Sequence, residues 1–340
     1  MDATLIEHDD PRWTAMLHST APDFYHLPGY VAASASHEGG EAAAILVEDG
    51  ARTMLLPFIL RATPDGRRDA TSPQGYAGFL ASPDSQAGFI TDALRAAIVC
   101  LRAHEVVSLY VRLHPLLNSD PPEGVGDVVR HPDTVPIDLS LSPDELWRQT
   151  RPRFRSHITH ALRAGHRVDV ETGAGSLKAF KDLYRATMRR LSAAPAYQYD
   201  DAYFEALRES LGEALHVASV TIEGQTAATG LYVEGAGIVH LHLAGSDPRF
   251  SREQPTKLMY HRMREWSKER GSRWMLLGGG RGTEDDSLLH FKAGFSPLRA
   301  PYRTLRVIIL AEEYQALVAD RFPEGVPPSA TGFFPLYRAP

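Results

Sequence analysis

Four stretches of the chain hold residue types from which a polar reaction site could be built. Between Leu146 and Val168 there is no acidic residue, yet Arg148, Arg151, Arg153, Arg155, Arg163 and Arg167 all fall there, with His157, His160 and His166. A guanidinium makes two parallel charge-assisted bonds to a phosphate, so the run suits a phosphate-bearing ligand. It equally suits a solvated helix face whose carboxylate partners lie elsewhere. The second stretch, Gly278-Gly279-Gly280-Arg281-Gly282, follows an apolar strand-like segment. Glycines there let backbone lie close to a ligand. No Gly-Lys-Ser/Thr follows, and the glycine spacing is not that of a dinucleotide fingerprint. The third runs from Asp285 to Phe295. Asp286 is placed to cap a short helix, and Lys292 near its end either complements the helix dipole or offers a charge to a reaction. In the fourth, His240 and His242 stand two apart on a strand and share a face, as acid/base groups or as a polar pair within the fold. No His-Glu-x-x-His is present and Cys100 is the only cysteine, so no metal site and no internal disulfide is expected.

The elements that must carry these residues read as alternating helices and strands. Ala42–Glu48 and Ala51–Leu60 flank Asp49-Gly50, a hairpin signal. Gln86–Ala103 has helical spacing, Val106–Leu113 alternates like a strand, and Val128–Leu139 is strand broken near His131-Pro132. Ser142-Pro143-Asp144-Glu145 has the residues of a capping box. Pro152 then restarts a helix with Phe154, Ile158 and Leu162 on one face, ending at Gly165. Helices over Leu177–Leu191 and Ala202–Leu211 precede strands Leu215–Ile222, Thr226–Val233 and Gly237–Ala244. A polar loop leads to a helix from Pro255 to Gly271, then strand Trp274–Leu277, helix Ser287–Ala293 and strand Tyr302–Leu310. This is an α/β (α+β) chain whose second half repeats the element order of the first. Two tandem domains are expected: 1–141, completed by 311–340, and 142–310.

With 340 residues, 43% hydrophobic and 23% charged, the chain can bury two cores. A net charge of −6 excludes a protein that coats nucleic acid through a broad basic face, but not one with a local basic patch. The acidic N-terminus lacks the regions of a signal peptide, and apolar runs such as Val307–Ala311 are too short to cross a bilayer. A cytoplasmic chain without integral membrane contact is expected.

The loop Ala244–Lys257 delivers three strands to a helix N-terminus at Pro255 and Thr256, where free amides and the dipole suit an anion. N-acetyltransferases of the GNAT type hold the coenzyme A pyrophosphate at this topological point, with Gln/Arg-x-x-Gly-x-Gly/Ala. Here Arg249-Phe250-Ser251-Arg252-Glu253-Gln254-Pro255-Thr256 has no glycine, so the strand order fits that fold while the cradle is missing.

Together, His240–Pro248, Pro255–Met259 through Trp266 to Gly271, Leu277–Gly280, Asp286–Leu289 and Phe291-Lys292-Ala293-Gly294-Phe295 resemble the Fem-type aminoacyltransferases. These are tandem-GNAT-fold enzymes best known for building peptidoglycan cross-bridges. In the first half, Ser72-Pro73-Gln74-Gly75-Tyr76-Ala77-Gly78 is similar to the family's Tyr-Gly-Tyr-Gly-Gly-type loop, and Val107–Leu116 matches a second stretch. The resemblance implies two GNAT-like domains, each a mixed twisted sheet flanked by helices, without the coiled-coil arm of larger members. It implies an aminoacyl-tRNA donor, an amine acceptor and no cofactor. Lys292, beside Phe291, would face the tRNA acceptor end and stabilise the transition state. Arg153 and Arg155 would hold the acceptor stem or a phosphate-bearing acceptor. Gly278, Gly279, Gly280, Arg281, Thr256 and Tyr76 would line the substrates. Asp247, His242 and the substrate itself are the candidate bases. Gln74 stands where members commonly carry tyrosine, and the acceptor is open between a peptidoglycan precursor and an amine on a secondary metabolite. An acyl-CoA-dependent N-acyltransferase and a GNAT-like binding module share this architecture.

Overall fold

The computed structural model describes residues 1–119, 123–173, 177–280 and 286–340. In chain order its strands are β1 (Asp2–Glu7), β2 (Glu41–Asp49), β3 (Arg52–Ala62), β4 (Arg68–Thr71), β5 (Leu80–Ala81), β6 (Val106–Leu113), β7 (Asp127–Thr134), β8 (Pro136–Asp138), β9 (Arg167–Thr172), β10 (Leu215–Ile222), β11 (Gln225–Gly235), β12 (Ile238–Ser246), β13 (Trp274–Leu276) and β14 (Ala300–Ile308). The helices are α1 (Pro11–His18), α2 (Pro28–Glu38), α3 (Ala87–Ala103), α4 (Pro143–Gln149), α5 (Pro152–Arg163), α6 (Leu177–Arg190), α7 (Asp201–Leu211), α8 (Pro255–Glu269), α9 (Ser287–Lys292) and α10 (Ala311–Arg321).

The chain divides into two compact units, one of Met1–His131 with Tyr302–Pro340 and one of Pro132–Pro301. The first holds a mixed sheet in the order β1-β2-β3-β4-β6-β14-β7, with β5 on β3. Gly50 takes φ +64° in the β2–β3 turn, a conformation that glycine adopts without strain. Phe89, Ala93, Ala97 and Leu101 of α3 and Trp13, Met16 and Val31 of α1 and α2 bury themselves in two separate clusters with this sheet. The C-terminal segment is fastened by Asp69, which is fully buried and receives Arg61 Nε at 2.9 Å, Tyr337 Oη at 3.0 Å and Arg338 Nε at 2.5 Å.

The second unit has the sheet order β8-β13-β12-β11-β10-β9. All neighbours are antiparallel except β12 and β13. Phe154, Ile158 and Ala161 of α5 and Leu258, Met259 and Met263 of α8 share one core with the sheet. Backbone of α6 at Leu183 and Tyr184 lies so close to Gly245 of β12 that no Cβ fits there. Ser142 and Glu145 form the expected capping box on α4.

Three expectations need correction. The strand around Tyr302–Leu310 belongs to the first sheet, where Arg303–Ile308 pair antiparallel with β6, so it is not part of the second unit. The second unit instead gains β8, cut from β7 at Val135, and the unforeseen edge strand β9. Leu162 is 53% exposed, so the buried face of α5 is Phe154, Ile158 and Ala161. No helix among the described residues is long and apolar enough to cross a membrane.

Candidate functional site

The parallel strands β12 and β13 pair only from Ile238↔Trp274 to His240↔Leu276. Beyond that point β12 runs on to Ser246, whereas the chain after β13 turns to the opposite neighbour: Leu277 N donates to Val135 O at 3.0 Å and Val135 N to Gly278 O at 3.1 Å. The two parallel strands therefore part where the glycine run begins. Gly278 holds φ +73°, which ends the strand at little cost for glycine. At Gly280 a Cβ would overlap the Asp286 carboxylate, so glycine is needed for the backbone to pass that close. Arg281 lies outside the described residues.

Asp286 caps α9 by accepting from Leu289 N at 3.0 Å. A six-residue helix is too short to hold itself, so its ends must be tied. Its last residue, Lys292, is only 9% exposed and donates from Nζ to Gly279 O at 2.6 Å. Burial pulls its ammonium from 10.5 down to about 8, against an upward pull from Asp286. Phe291 packs on Phe154, Tyr260 and Phe295 with ring centroids 5.5, 5.6 and 5.9 Å away. Gly278, Gly279, Lys292 and Phe291 are thus brought together, with Gly280 against the Asp286 cap.

Phe154 leads to a second buried ammonium that the sequence reading missed. Lys257, 5% exposed in the first turn of α8, sits over the Phe154 ring at 4.3 Å. Its Nζ donates to Gln254 Oε1 at 2.6 Å and lies 2.7 Å from His157 Nδ1. Burial and the nearby Arg153 lower the Lys257 ammonium. The same charges, after burial, keep the His157 ring below its usual range, so its Nδ1 accepts. A cation in a helix's first turn opposes the dipole, and that was the signal available in the sequence. Thr256 is half-buried beside it, and Gln254 caps the helix in the left-handed region at φ +56°.

Of the arginines in the basic run, Arg153 is exposed and Arg155 half-buried, and among the described residues neither pairs with a carboxylate. Arg148 donates to Asp144 O at 3.3 Å, and Arg151 reaches α9.

The two candidate bases differ in setting. Asp247, at the end of β12, grips Arg249 with Oδ2 at 2.6 Å from Nη2, and these bonds hold its carboxyl below the usual range. His242 is half-buried, its Nε2 3.3 Å from Tyr203 Oη, and burial with the adjacent His240 pushes it down to about 3. At neutral pH one is a stabilised carboxylate and the other a neutral ring; both are weak bases. Tyr76 belongs to the first unit, half-buried with its ring 5.2 Å from Tyr302 and 6.1 Å from Tyr25.

Comparison with known proteins bears on this arrangement. The family model described as an acetyltransferase (GNAT) domain matches residues 148–292. Among solved structures, the chain is similar to FemX, with 14% identity over 93% of this chain and 99% of that one and a TM-score of 0.67. It is also similar to the C-terminal DUF2156 domain of an Agrobacterium fabrum protein named as a lysylphosphatidylglycerol synthetase, at 13% identity over 92% and 95% and a TM-score of 0.57. A conserved protein of unknown function from Bacteroides thetaiotaomicron matches at 12% identity over 88% and 96%, also at 0.57. No curated protein matches significantly by sequence. At these identities the likeness is one of fold. The chain has a tandem GNAT-like fold similar to that of FemX, and the residues that the acetyltransferase (GNAT) model matches lie within its second unit.

Proposed function

We propose that the protein is an acyltransferase that moves an amino acid from aminoacyl-tRNA to an amine acceptor, forming an amide. The observation that carries this reading is the buried Lys292 ammonium, anchored on Gly279 O where β12 and β13 part. In the proposed reaction the acceptor amine attacks the ester carbonyl, a C–N bond forms, and the carbonyl oxygen becomes an oxyanion. One proton of Lys292 is committed to Gly279; the others face that oxyanion and stabilise it electrostatically. The C–O bond to the ribose then breaks. Since Asp247 and His242 are both weak bases, the amine proton passes to the departing ribose oxygen, which leaves as a hydroxyl.

Two features support a tRNA donor over coenzyme A. The segment Arg249–Thr256 has no glycine, and Lys257 with its partners Gln254 and His157 packs the first turn of α8. Arg153 and Arg155, which have no carboxylate partner among the described residues, add charge on the neighbouring helix, as phosphate contacts require. The acetyltransferase-domain match favours the second reading, an acyl-CoA donor. A single assay separates them: purified protein, charged tRNAs with each amino acid labelled in turn, and a panel of amines, with and without ribonuclease. Product abolished by ribonuclease supports the proposal. Product formed from acyl-CoA and insensitive to ribonuclease overturns it in favour of the second reading. No turnover with either donor points to a binding module.

A further inference from the structure

Arg151 lies 141 positions before Lys292 in the sequence, yet it holds the turn that Lys292 ends. Its backbone N–H donates to Gly294 O at 2.8 Å, while its own carbonyl accepts from Phe154 and Arg155 to start α5. Its guanidinium Nη1 donates to His290 O at 3.1 Å and lies 2.7 Å from His290 Nε2. The cation therefore sits at the C-terminal end of α9, where carbonyls lack helical partners and the dipole is negative. Asp286 ties the other end. Phe154, three residues after Arg151, fills the space beside Gly294, where a Cβ would overlap its ring.

From this geometry we propose that Arg151 is a positioning residue: its guanidinium keeps the last turn of α9 wound and thereby seats the Lys292 ammonium on Gly279 O. The inference rests on the role given to Lys292 above, but its physical core does not depend on it. Six residues do not form a stable helix alone, and a charge-assisted bond to a terminal carbonyl is what this one has at that end. Arg151 itself has no part in the bond-making step. Both contacts to His290 converge on Nη1, so an ammonium reaching the same point can make part of them, and Arg151→Lys is the conservative variant.

The test compares Arg151→Ala, Arg151→Lys and the parent protein. Alanine leaves the backbone bond to Gly294 O in place, so only the guanidinium is removed. Hydrogen exchange by mass spectrometry over residues 286–295 reads the helix directly, since Ala293, Gly294 and Phe295 donate within that turn. Exchange there should quicken about tenfold in Arg151→Ala, with Arg151→Lys between and the rest of the unit unchanged. In aminoacyl transfer, displacement of the ammonium by an ångström should lower kcat by about 100-fold, with KM for both substrates within about twofold. Millimolar guanidinium should recover part of kcat in Arg151→Ala and none in Lys292→Ala. Unchanged exchange at residues 286–295 in Arg151→Ala overturns the inference, as does a loss carried by KM with no recovery. If Arg151→Ala does not fold, the exchange ordering of Arg151→Lys against the parent decides it. If the parent shows no aminoacyl transfer, the proposed function falls while the exchange result still decides what Arg151 holds.

Discussion

Replacing Lys292 by methionine should make the protein less active and, at neutral pH, no less stable. Burial lowers the Lys292 ammonium from 10.5 to about 8, so the fold disfavours the charged form by about 3 kcal/mol. Methionine is similar in length, carries no charge and removes that penalty. It also forfeits the bond to Gly279 O, worth about 1–3 kcal/mol for a charged donor. The two nearly offset, leaving Lys292→Met between neutral and about 2 kcal/mol more stable at pH 7, or a rise of up to about 8 °C in Tm. The pH dependence is the sharper signature. The folded value lies below the unfolded one, so between pH 8 and 10.5 the unfolded chain binds more protons and the parent gains stability as pH rises. The advantage of methionine should therefore shrink by about 3 kcal/mol across that window. Turnover should meanwhile fall by about 10²–10³, as when an oxyanion donor is removed. Lys292→Arg should not restore it, because a planar fork cannot take the place of a compact ammonium in this packing. Thermal melts at pH 7 and pH 10 with initial rates at pH 7 check both halves. A stability difference that does not change with pH, together with parental turnover, would refute the reasoning.

Three further outcomes can be measured. Arg153→Glu with Arg155→Glu should raise KM for the tRNA donor by about tenfold or more and flatten its salt dependence by about one in log–log slope per arginine; equal losses at 50 and 300 mM salt would assign both residues to structure. Gly280→Ala should displace Asp286 from the start of α9 and cost about 1 kcal/mol of cap, read as lower kcat with faster exchange at residues 286–295. Burial holds the ring of His26 at about 4 against 6.5, so the unfolded chain binds more protons as pH falls through that interval. The first unit should then lose about 3 kcal/mol on acidification, and urea midpoints at pH 7.5 and pH 4 should converge in a His26→Asn variant.

Local signals in the sequence located most of the elements that hold the site. The Ser142 capping box, the Asp49-Gly50 hairpin and the Gly271 stop after α8 each rest on residues within one turn of the feature, and all appear as read. What failed was decided at a distance or by weak patterns. Strand β14 is apolar in its own sequence, but its partner β6 lies about two hundred residues earlier, and nothing local says which sheet it joins. Helix α2 is built largely of Ala and Ser, which give little amphipathic contrast. Edge strand β9 alternates Arg167, Asp169 and Glu171 with half-buried Val168 and Val170, a legible period that the surrounding basic run obscured. Within the site, the glycine run and Lys292 were legible by type and spacing. Arg151 was legible only as one charge among six, because its partner, α9, is fixed by tertiary structure.

The division of labour between the two basic residue types bears on why the site uses ammonium groups. The chain has five lysines, at 178, 181, 257, 268 and 292, against 31 arginines, and all five lie in the second unit. Arginine can serve several acceptors even when buried: Arg264, 2% exposed, bonds Leu146 O, Thr150 Oγ1 and His261 Nδ1. Lysine in such a chain is a departure from its habit, and two of the five departures are nearly buried. Burial costs an ammonium more than the more weakly hydrated guanidinium, so these positions are poor choices for stability alone. What an ammonium offers in exchange is a compact charge whose protons point in three directions. At Lys292 one of them is fixed on a carbonyl, and in the proposed reaction the others serve an oxygen that becomes negative only as the bond forms. That asymmetry, a charge held at a cost in the resting protein and relieved by an oxyanion, is the form that preorganised electrostatic catalysis takes.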